Sequence, residues 1–247
     1  MGIGEAIAEQ FIRQGATVVL AARQDSLLAK VAGRLNGISP GHAIAVTTDV
    51  TVPDQVARLA EQSFAQTGRV DVLVNNAGVG VNGKVETLDL DAWRRCLEVN
   101  LIAPVQVIQA FLPRMKAAGG GSIVQISSVL GKLSAPGTAG YNASKFALNA
   151  VSDALRNEVA GSGIRVISVY PGSTESNFRA NSLGETRVHK VRFARVPASL
   201  VGQRVVRAVE RGERDVYITA RDAVVCWLAT RMPGLADKVI QRLYGNR

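Results

Sequence analysis

Six short apolar runs alternate with helical stretches along nearly the whole chain, and this alternation constrains the fold more than any other feature. The runs are rich in Val and Ile and almost continuous in apolarity, which is typical of strands buried on both faces of a parallel sheet. They predict strands at Thr17–Ala22, His42–Thr48, Val70–Asn75, Ser122–Ser127, Ile164–Val169 and Asp215–Thr219. Repeated strand–helix units of this kind predict a doubly wound, three-layer α/β/α fold.

The segments between these runs have helical spacing. Helices are predicted at Gly4–Gln14, Ser26–Leu35, Pro53–Gln66, Leu90–Ala118, Ala139–Ala160 and Pro197–Arg211. No repeat or linker divides the chain, so we predict one domain over residues 1–219 and a tail over residues 220–247, formed by two short amphipathic helices that separate at Pro233. The one long irregular segment is Ser173–Val196, and loops of that length are usually functional.

Composition narrows the class of protein. The chain has 247 residues, is 47% apolar and contains two cysteines, Cys96 and Cys226, with no metal-ligand partner near either. We therefore expect no metal site, no disulfide scaffold and a reducing, cytoplasmic location. The amino end lacks the pattern of a signal peptide, and we see no run of about 20 apolar residues, so we expect a soluble protein.

The net charge of +9 is concentrated near the carboxyl end, where residues 178–247 hold 14 Lys and Arg against 6 Asp and Glu. A solvated basic face is the favoured interpretation. The alternative is contact with an anionic partner, such as a phosphorylated substrate or a lipid surface that the amphipathic tail helices would touch weakly. Nucleic acid is not expected, because the tail has no recognisable reading motif and few aromatic residues.

One pair of residues suggests proton chemistry. Tyr141 and Lys145, in the stretch YNASK, are spaced so that both lie on one face of a helix, with the ammonium beneath the phenol. A neighbouring cation favours the phenolate and would lower the tyrosine pKa from its usual value of about 10. By itself, however, such a pair is more often an ordinary surface pair.

Three further features lie where a ligand would bind. Ser128 follows a predicted strand, and ligands bind at the carboxyl ends of strands in an open parallel sheet. Asn100 lies inside a predicted helix although its side chain competes with the backbone for hydrogen bonds. The turn Asn75–Gly78, with sequence NNAG, is small enough for a flat ligand to approach. Each feature alone has an ordinary structural explanation, but here they occur together.

Together the motifs resemble those of the short-chain dehydrogenase/reductase family, in its branch of about 250 residues with one Rossmann-like dinucleotide-binding domain. In family order they are G-I-G at Gly2–Gly4, an aspartate at Asp49, N-N-A-G at Asn75–Gly78, V-N at Val99–Asn100, I-S-S at Ile126–Ser128, Y-x-x-x-K at Tyr141–Lys145 and P-G at Pro171–Gly172. The resemblance covers nearly the whole chain as far as about Thr219. Ser176 stands where one form of the last motif has threonine, which retains a hydroxyl.

The resemblance implies a role for each matching residue. Tyr141 would be the general acid and base, and Lys145 would lower its pKa and hold the nicotinamide ribose. Ser128 would polarise the reacting oxygen, and Asn100 would anchor a water molecule of a proton relay. The residues implied to bind the cofactor are Gly2, Ile3, Gly4, Arg23, Asp49, Val50, Asn76, Ala77, Gly78, Tyr141, Lys145, Pro171, Gly172 and Thr174.

The cofactor is expected to be NADP(H) rather than NAD(H). Relatives that prefer NAD have an acid at the position of Ala22, whereas here Arg23 follows directly and its guanidinium can bind a 2′-phosphate. A solvated Arg23, or one partly neutralised by Asp25, is the alternative. The resemblance thus implies an NADP(H)-dependent oxidoreductase that acts on a carbonyl or alcohol substrate and assembles as a homodimer or homotetramer. A catalytically silent nucleotide-binding relative and a sugar-nucleotide epimerase or dehydratase are the alternative functions.

The start of the chain raises a separate question. The family loop reads T-G-x-x-x-G-I-G after a first strand, and this sequence enters only at the last variable position, Met1. Without that central strand, its two neighbours would lose a hydrogen-bonding partner. A start placed too late, a genuinely truncated relative, and replacement by another segment are the alternatives, although no unassigned strand-like run is available for the third.

Overall fold

The computed structural model describes residues 2–39, 42–185 and 194–244. The strands are β1 Val18–Ala22, β2 Ala43–Thr47, β3 Val72–Asn75, β4 Val81–Asn82, β5 Gly121–Ile126, β6 Ile164–Tyr170, β7 Leu183–Gly184 and β8 Asp215–Tyr217. The α-helices are α1 Ile3–Arg13, α2 Asp25–Asn36, α3 Pro53–Thr67, α4 Leu90–Leu97, α5 Ala103–Ala117, α6 Ala139–Glu158, α7 Ala198–Arg211, α8 Ala220–Arg231 and α9 Pro233–Tyr244. Residues 186–193 of the predicted loop Ser173–Val196, together with Met1 and Arg247, lie outside the described residues.

The main sheet is parallel and has the order β3-β5-β6-β8. Buried side chains of α3, α5 and α6 cover one face, and those of α1 and α7 cover the other. This is the predicted three-layer α/β/α arrangement. The six predicted strands and six predicted helices are all present, and the tail is helical on both sides of Pro233, as predicted.

The sheet is divided where the sequence predicts a missing neighbour. Strands β1 and β2 form a separate parallel pair, and within residues 2–39, 42–185 and 194–244 no strand joins β1 to β3. Residues of β1 and β3 line one continuous cavity together with apolar side chains from helices on both faces, such as Phe11 of α1 and Phe111 of α5. Each of the two strands therefore has a backbone edge without a strand partner.

The predicted helix Leu90–Ala118 is present as the helical stretch Leu90–Ala117, but the expectation that no segment is long and apolar enough to span a membrane is wrong by length and composition. The stretch has 28 residues, and an 18-residue window within it has a mean hydropathy of 1.4, so it is a candidate membrane span by length and composition. However, Val107, Phe111 and Met115 are buried in the core against the sheet, as in a core helix of a globular domain. Between α4 and α5 the stretch contains a π-helical turn at Glu98–Ile102. Such turns occur frequently at functional sites, and this one contains Asn100.

The short pair β4–β7 has no counterpart in the sequence prediction. Val81 pairs with Leu183, and Gly83 forms a bridge with Thr138 just before α6. These contacts hold the segment after β3 and the segment after β6 against the start of α6. They therefore build the rim of the cleft above the carboxyl ends of the main sheet.

Candidate active site

A cavity of about 2100 Å³ runs along the carboxyl ends of the parallel strands and continues into the gap between β1 and β3. Every residue that the sequence analysis assigned to the cofactor lines it, and so does Ser128. Those residues are Gly2, Ile3, Gly4, Arg23, Asp49, Val50, Asn76, Ala77, Gly78, Tyr141, Lys145, Pro171, Gly172 and Thr174. Residues spread over 173 positions of the sequence thus meet in one cleft.

Tyr141 and Lys145 lie on the same face of α6, opposite the end of β5. The Lys145 ammonium donates a 2.9 Å hydrogen bond to the Ile126 carbonyl oxygen and lies 5.9 Å from the centroid of the Tyr141 ring. Ser128 follows β5 and its hydroxyl accepts a 3.1 Å hydrogen bond from the Leu130 amide. Ser128, Tyr141 and Lys145 therefore converge where a substrate carbonyl could contact both hydroxyl groups.

The electrostatics of this group differ from the sequence expectation. Burial raises the pKa of Tyr141 well above its usual value, and the hydrogen bond with Ser128 only partly opposes this effect. Burial lowers the pKa of Lys145 to about 8. The expectation that Lys145 lowers the Tyr141 pKa is therefore wrong for this structure, because the desolvation of both groups dominates and the ammonium is directed at the Ile126 carbonyl.

Asn100 is fully buried and is not exposed to the cavity. Its amide nitrogen donates to the Val79 carbonyl at 2.9 Å and to the Ser144 hydroxyl at 3.0 Å, and its amide oxygen accepts from the Val79 amide at 2.8 Å. These bonds tie the loop after β3 to α6. A role for Asn100 in a proton relay stays a prediction, and it would have to use backbone atoms because the amide nitrogen is already engaged.

Ser144 is a residue that the sequence analysis missed, although it lies inside the quoted motif YNASK. Its hydroxyl donates a 2.7 Å hydrogen bond to the Tyr141 carbonyl and accepts the bond from Asn100. Cys96 lies beside the same pair, 3.2 Å from the Asn100 amide nitrogen, and burial raises the pKa of its thiol. Ser144 therefore links the Asn100 turn to the helical turn that presents the Tyr141 side chain.

The amino end of α1 forms the centre of the cofactor cleft. Gly2 is the N-cap, and the first backbone amides of a helix lack partners within the helix, which suits them to bind phosphate groups. A Cβ atom on Gly4 would lie 2.5 Å from the side-chain amide nitrogen of Asn76, so the first turn of the helix and the turn after β3 approach each other closely at this glycine. The two motifs are packed against each other as a cofactor cradle requires.

Asp49 is held in place by its own turn. Its carboxylate accepts hydrogen bonds from the Thr51 amide at 2.9 Å and the Thr51 hydroxyl at 2.7 Å, and lies 3.7 Å from the Arg95 guanidinium. Burial acts to raise the pKa of Asp49, but the Thr51 hydrogen bonds and the charges of Arg23 and Arg95 lower it below its usual range. Asp49 is thus a fixed anion at the far end of the cleft.

Arg23 is exposed at the end of β1 and faces the cleft. Asp25, which could have neutralised it, accepts a 2.5 Å hydrogen bond from the Thr47 hydroxyl and does not line the cavity. In the described part of the chain, no carboxylate lies within ion-pair distance of Arg23. Its guanidinium is therefore available to an anionic group of a ligand.

The loop after β6 closes the other end of the cleft. The Pro171 carbonyl accepts a 3.1 Å hydrogen bond from the Val129 amide, and the Thr174 hydroxyl donates a 3.2 Å bond to the Gly172 carbonyl. A Cβ atom on Gly172 would lie 2.5 Å from the Asp222 carboxylate of α8. The loop is therefore fixed between the Ser128 segment and the first turn of the tail.

The sequence matches the family model described as short chain dehydrogenase over residues 1–186. Dehydrogenase/reductase SDR family member 7B of Mus musculus is 32% identical over 97% of this chain and 77% of its own length. Ketoacyl reductase HetN of a Nostoc species is 32% identical over 88% of this chain and 75% of its own length. The chain belongs to the short-chain dehydrogenase/reductase family.

Solved structures agree with this assignment. A short chain dehydrogenase from Burkholderia cenocepacia in complex with NADP has a TM-score of 0.81 and 26% identity, over 97% of this chain and 92% of that one. A metagenomic short-chain oxidoreductase in complex with NADP is 32% identical with a TM-score of 0.73, over 88% of this chain and 91% of that one. A Burkholderia phymatum relative in complex with NAD, 24% identical with a TM-score of 0.85 over 95% and 91%, shows the fold alone. The chain is an NAD(P)-dependent oxidoreductase with a Rossmann-like fold.

Proposed function

We propose that this protein is an NADP(H)-dependent oxidoreductase that interconverts a carbonyl and an alcohol, with Tyr141 as the general acid and base. The observation that carries the proposal is the convergence of Ser128, Tyr141 and Lys145 at one end of a cavity that all the predicted cofactor residues line. The direct test is oxidation of NADPH by the purified full chain with a panel of aldehydes and ketones. Turnover that requires Tyr141 supports the proposal.

The cavity fits a nicotinamide dinucleotide, because a glycine cradle at a helix amino end and a fixed anion lie along it. The bound cofactor supplies or accepts the hydride. The Ser128 hydroxyl orients the substrate oxygen, and Tyr141 is protonated at neutral pH, since a phenol has a pKa of about 10 even before burial raises it. It can therefore donate a proton to a carbonyl oxygen during reduction. Lys145 would hold the ribose, and a proton from solvent would restore the Tyr141 phenol after each transfer.

We predict that replacing Arg23 by Asp shifts cofactor preference towards NAD(H). The substitution exchanges a guanidinium that can bind a 2′-phosphate for a carboxylate that repels it. The ratio of kcat/KM for NADPH to that for NADH should fall by about 10-fold to 100-fold, corresponding to about 1.4–2.7 kcal/mol. Arg58→Asp, an exposed position on α3 outside the cavity, is the matched control. Equal use of both cofactors by the unmodified protein would contradict the role given to Arg23.

The buried ammonium gives a prediction about pH and stability. The pKa of Lys145 is about 8 in the folded protein, whereas a lysine in an unfolded chain has a pKa of about 10.4. Between these values the unfolded chain binds more protons, so the free energy of unfolding rises with pH. We measure the free energy of unfolding of wild type and of Lys145→Met by urea denaturation. The value for wild type should rise relative to that of the variant between about pH 8 and about pH 10. A difference independent of pH would refute the shift.

We propose a homodimer or homotetramer that pairs α5 and α6 across a twofold axis. Members of this family oligomerise, and Phe146 on α6 and Ile102 before α5 are each 43% exposed although apolar. We expect Phe146→Asp to lower the molar mass measured by light scattering at micromolar concentration. Val85→Asp changes an apolar side chain that is 78% exposed but lies on neither helix, and it should leave the mass unchanged. A wild-type monomer would contradict the proposal.

Two alternatives and the cellular location complete the proposal. A silent nucleotide-binding protein would bind NADPH but turn over no carbonyl compound in the panel. An epimerase or dehydratase is disfavoured because its branch has a different glycine loop and a larger C-terminal region. We propose a cytoplasmic location on the strength of cysteine usage.

We also propose a weak contact of the tail with a membrane surface, supported by the exposed Val224 and Trp227 on α8.

A further inference from the structure

Helices α8 and α9 form an apolar wall of the cavity, which we call the tail wall. Its members recur at helical spacing. They are Val225, Leu228 and Ala229 on α8, and Leu235, Ala236, Val239, Ile240 and Leu243 on α9. Helix α9 presents one apolar face, whereas α8 is apolar on more than one side, contrary to the prediction of an amphipathic helix, because Val224 and Trp227 are exposed outside the lining. The two helices pack against each other, and their faces line the same cavity as the catalytic residues.

The tail wall is continuous with the reaction site. The first turn of α8 lies against the loop after β6, since Asp222 occupies the space where a Cβ atom on Gly172 would lie. Asp222 and Val225 are three residues apart and so lie on one helical face. On the other side of the site, the Phe178 ring lies 5.5 Å from the Tyr141 ring and also lines the cavity. One cavity therefore reaches from Phe178 and Tyr141, past Asp222, to Val225 and the rest of the tail wall.

The tail wall itself offers a ligand no charged partner, although Arg221 and Asp222 line the cavity just before it. From Val225 to Tyr244, no charged residue lines the cavity, while Arg231, Lys238 and Arg242 lie outside the lining. Leu235, Val239 and Leu243 are 48%, 46% and 50% exposed, so about half of each side chain is accessible from the cavity and the solvent. A ligand that covers these groups gains the free energy of removing apolar surface from water. Such a ligand is a hydrocarbon.

We propose that the substrate of this enzyme carries an extended hydrocarbon chain that binds along the tail wall, with its carbonyl carbon beside Tyr141. The inference rests on the proposed function and specifies its substrate class. Leu235 and Leu243 are eight residues apart, so the α9 part of the wall is about 12 Å long at 1.5 Å per residue. That length suits a medium or long alkyl chain rather than a small or acidic carbonyl compound.

The test is a homologous series of straight-chain aldehydes from butanal to dodecanal, reduced with NADPH by the full chain. We expect kcat/KM to rise by about twofold to fourfold for each added methylene group, the upper value corresponding to about 0.8 kcal/mol. The affinities of the corresponding alcohols, from butanol to dodecanol, measured by calorimetry, should rise in parallel. The calorimetric series reports on the wall without requiring turnover.

Variants with matched controls connect the chain-length effect to the tail wall. Val225→Asp and Val239→Asp place a carboxylate in the wall. They should lower kcat/KM much more for dodecanal than for butanal. Val224→Asp and Gln241→Asp introduce the same charge on the same helices at exposed positions outside the cavity lining. They should retain the wild-type dependence on chain length.

The outcomes separate the two proposals. Tyr141-dependent reduction of butanal with no gain along the series would overturn the hydrocarbon chain and leave the proposed function standing. A calorimetric gain with no turnover of any aldehyde would support the tail wall and refute the proposed function.

A lipid surface is the other occupant of an apolar face. If Val225→Asp and Val239→Asp abolish co-sedimentation with anionic vesicles but leave the chain-length dependence intact, the face binds lipid and the proposal is wrong.

Discussion

Tyr141→Phe is expected to lower kcat for carbonyl reduction by about 10²-fold to 10⁴-fold, the usual contribution of a general acid. The substitution removes the phenolic hydroxyl that we propose as the proton donor and leaves the ring in place. The ring packs against Phe178, and the Lys145 hydrogen bond goes to a backbone carbonyl rather than to Tyr141, so the surrounding structure should persist. The measurement is steady-state NADPH oxidation, with NADPH affinity followed separately by fluorescence.

The affinity for NADPH should change less than about threefold in this variant, because the contacts of the glycine cradle, Asp49 and Arg23 are untouched. Tyr217→Phe, which removes a partly buried hydroxyl on β8 outside the cavity, is the control and should retain wild-type turnover. An active preparation in which Tyr141→Phe keeps more than about a tenth of the rate would refute the role of Tyr141 as general acid.

The fold was predictable because its strands are apolar runs and its helices have helical spacing, which are local properties of the sequence. The cleft was predictable because motifs that end on parallel strands must meet at one edge of the sheet. The bond between Asn100 and Ser144 was not predictable, since it joins residues 44 positions apart through a π-helical turn that has no sequence signal. The pairing of the two-residue strands β4 and β7, which joins Val81 to Leu183, likewise has no signal in the sequence.

The wrong expectation about the pKa of Tyr141 has a different cause. The spacing of Tyr141 and Lys145 indicates that a cation lies near a phenol, and the ammonium does lie 5.9 Å from the centroid of the Tyr141 ring. Spacing does not indicate how deeply both groups are buried, and in this structure desolvation raises one pKa and lowers the other. Burial depends on the rest of the fold, including the Ile126 carbonyl that receives the ammonium.

The second large effect concerns the open edges of β1 and β3. We expect that extending the chain ahead of Met1 by an apolar strand of five residues, followed by Thr-Gly and two further residues, raises the free energy of unfolding by several kcal/mol. The added strand would pair with β1 on one side and β3 on the other, each hydrogen bond contributing about 0.5–1.5 kcal/mol. Its side chains would fill the apolar gap at about 1.5–3 kcal/mol each, against an ordering cost of about 1–2 kcal/mol per residue.

For a chain of this size, each kcal/mol corresponds to roughly 2–4 °C in Tm, so a rise on the order of 10 °C is expected. The control is an extension of the same length with Pro at the second and fourth strand positions, which cannot pair with both neighbours. Amide hydrogen exchange supplies the local measurement: the backbone amides of Val19 and Val74, in the two strands with open edges, should become protected only with the pairing extension. Equal Tm values for the two extensions would mean that the gap does not accept a strand, and β1 and β3 would then be stable with their edges open.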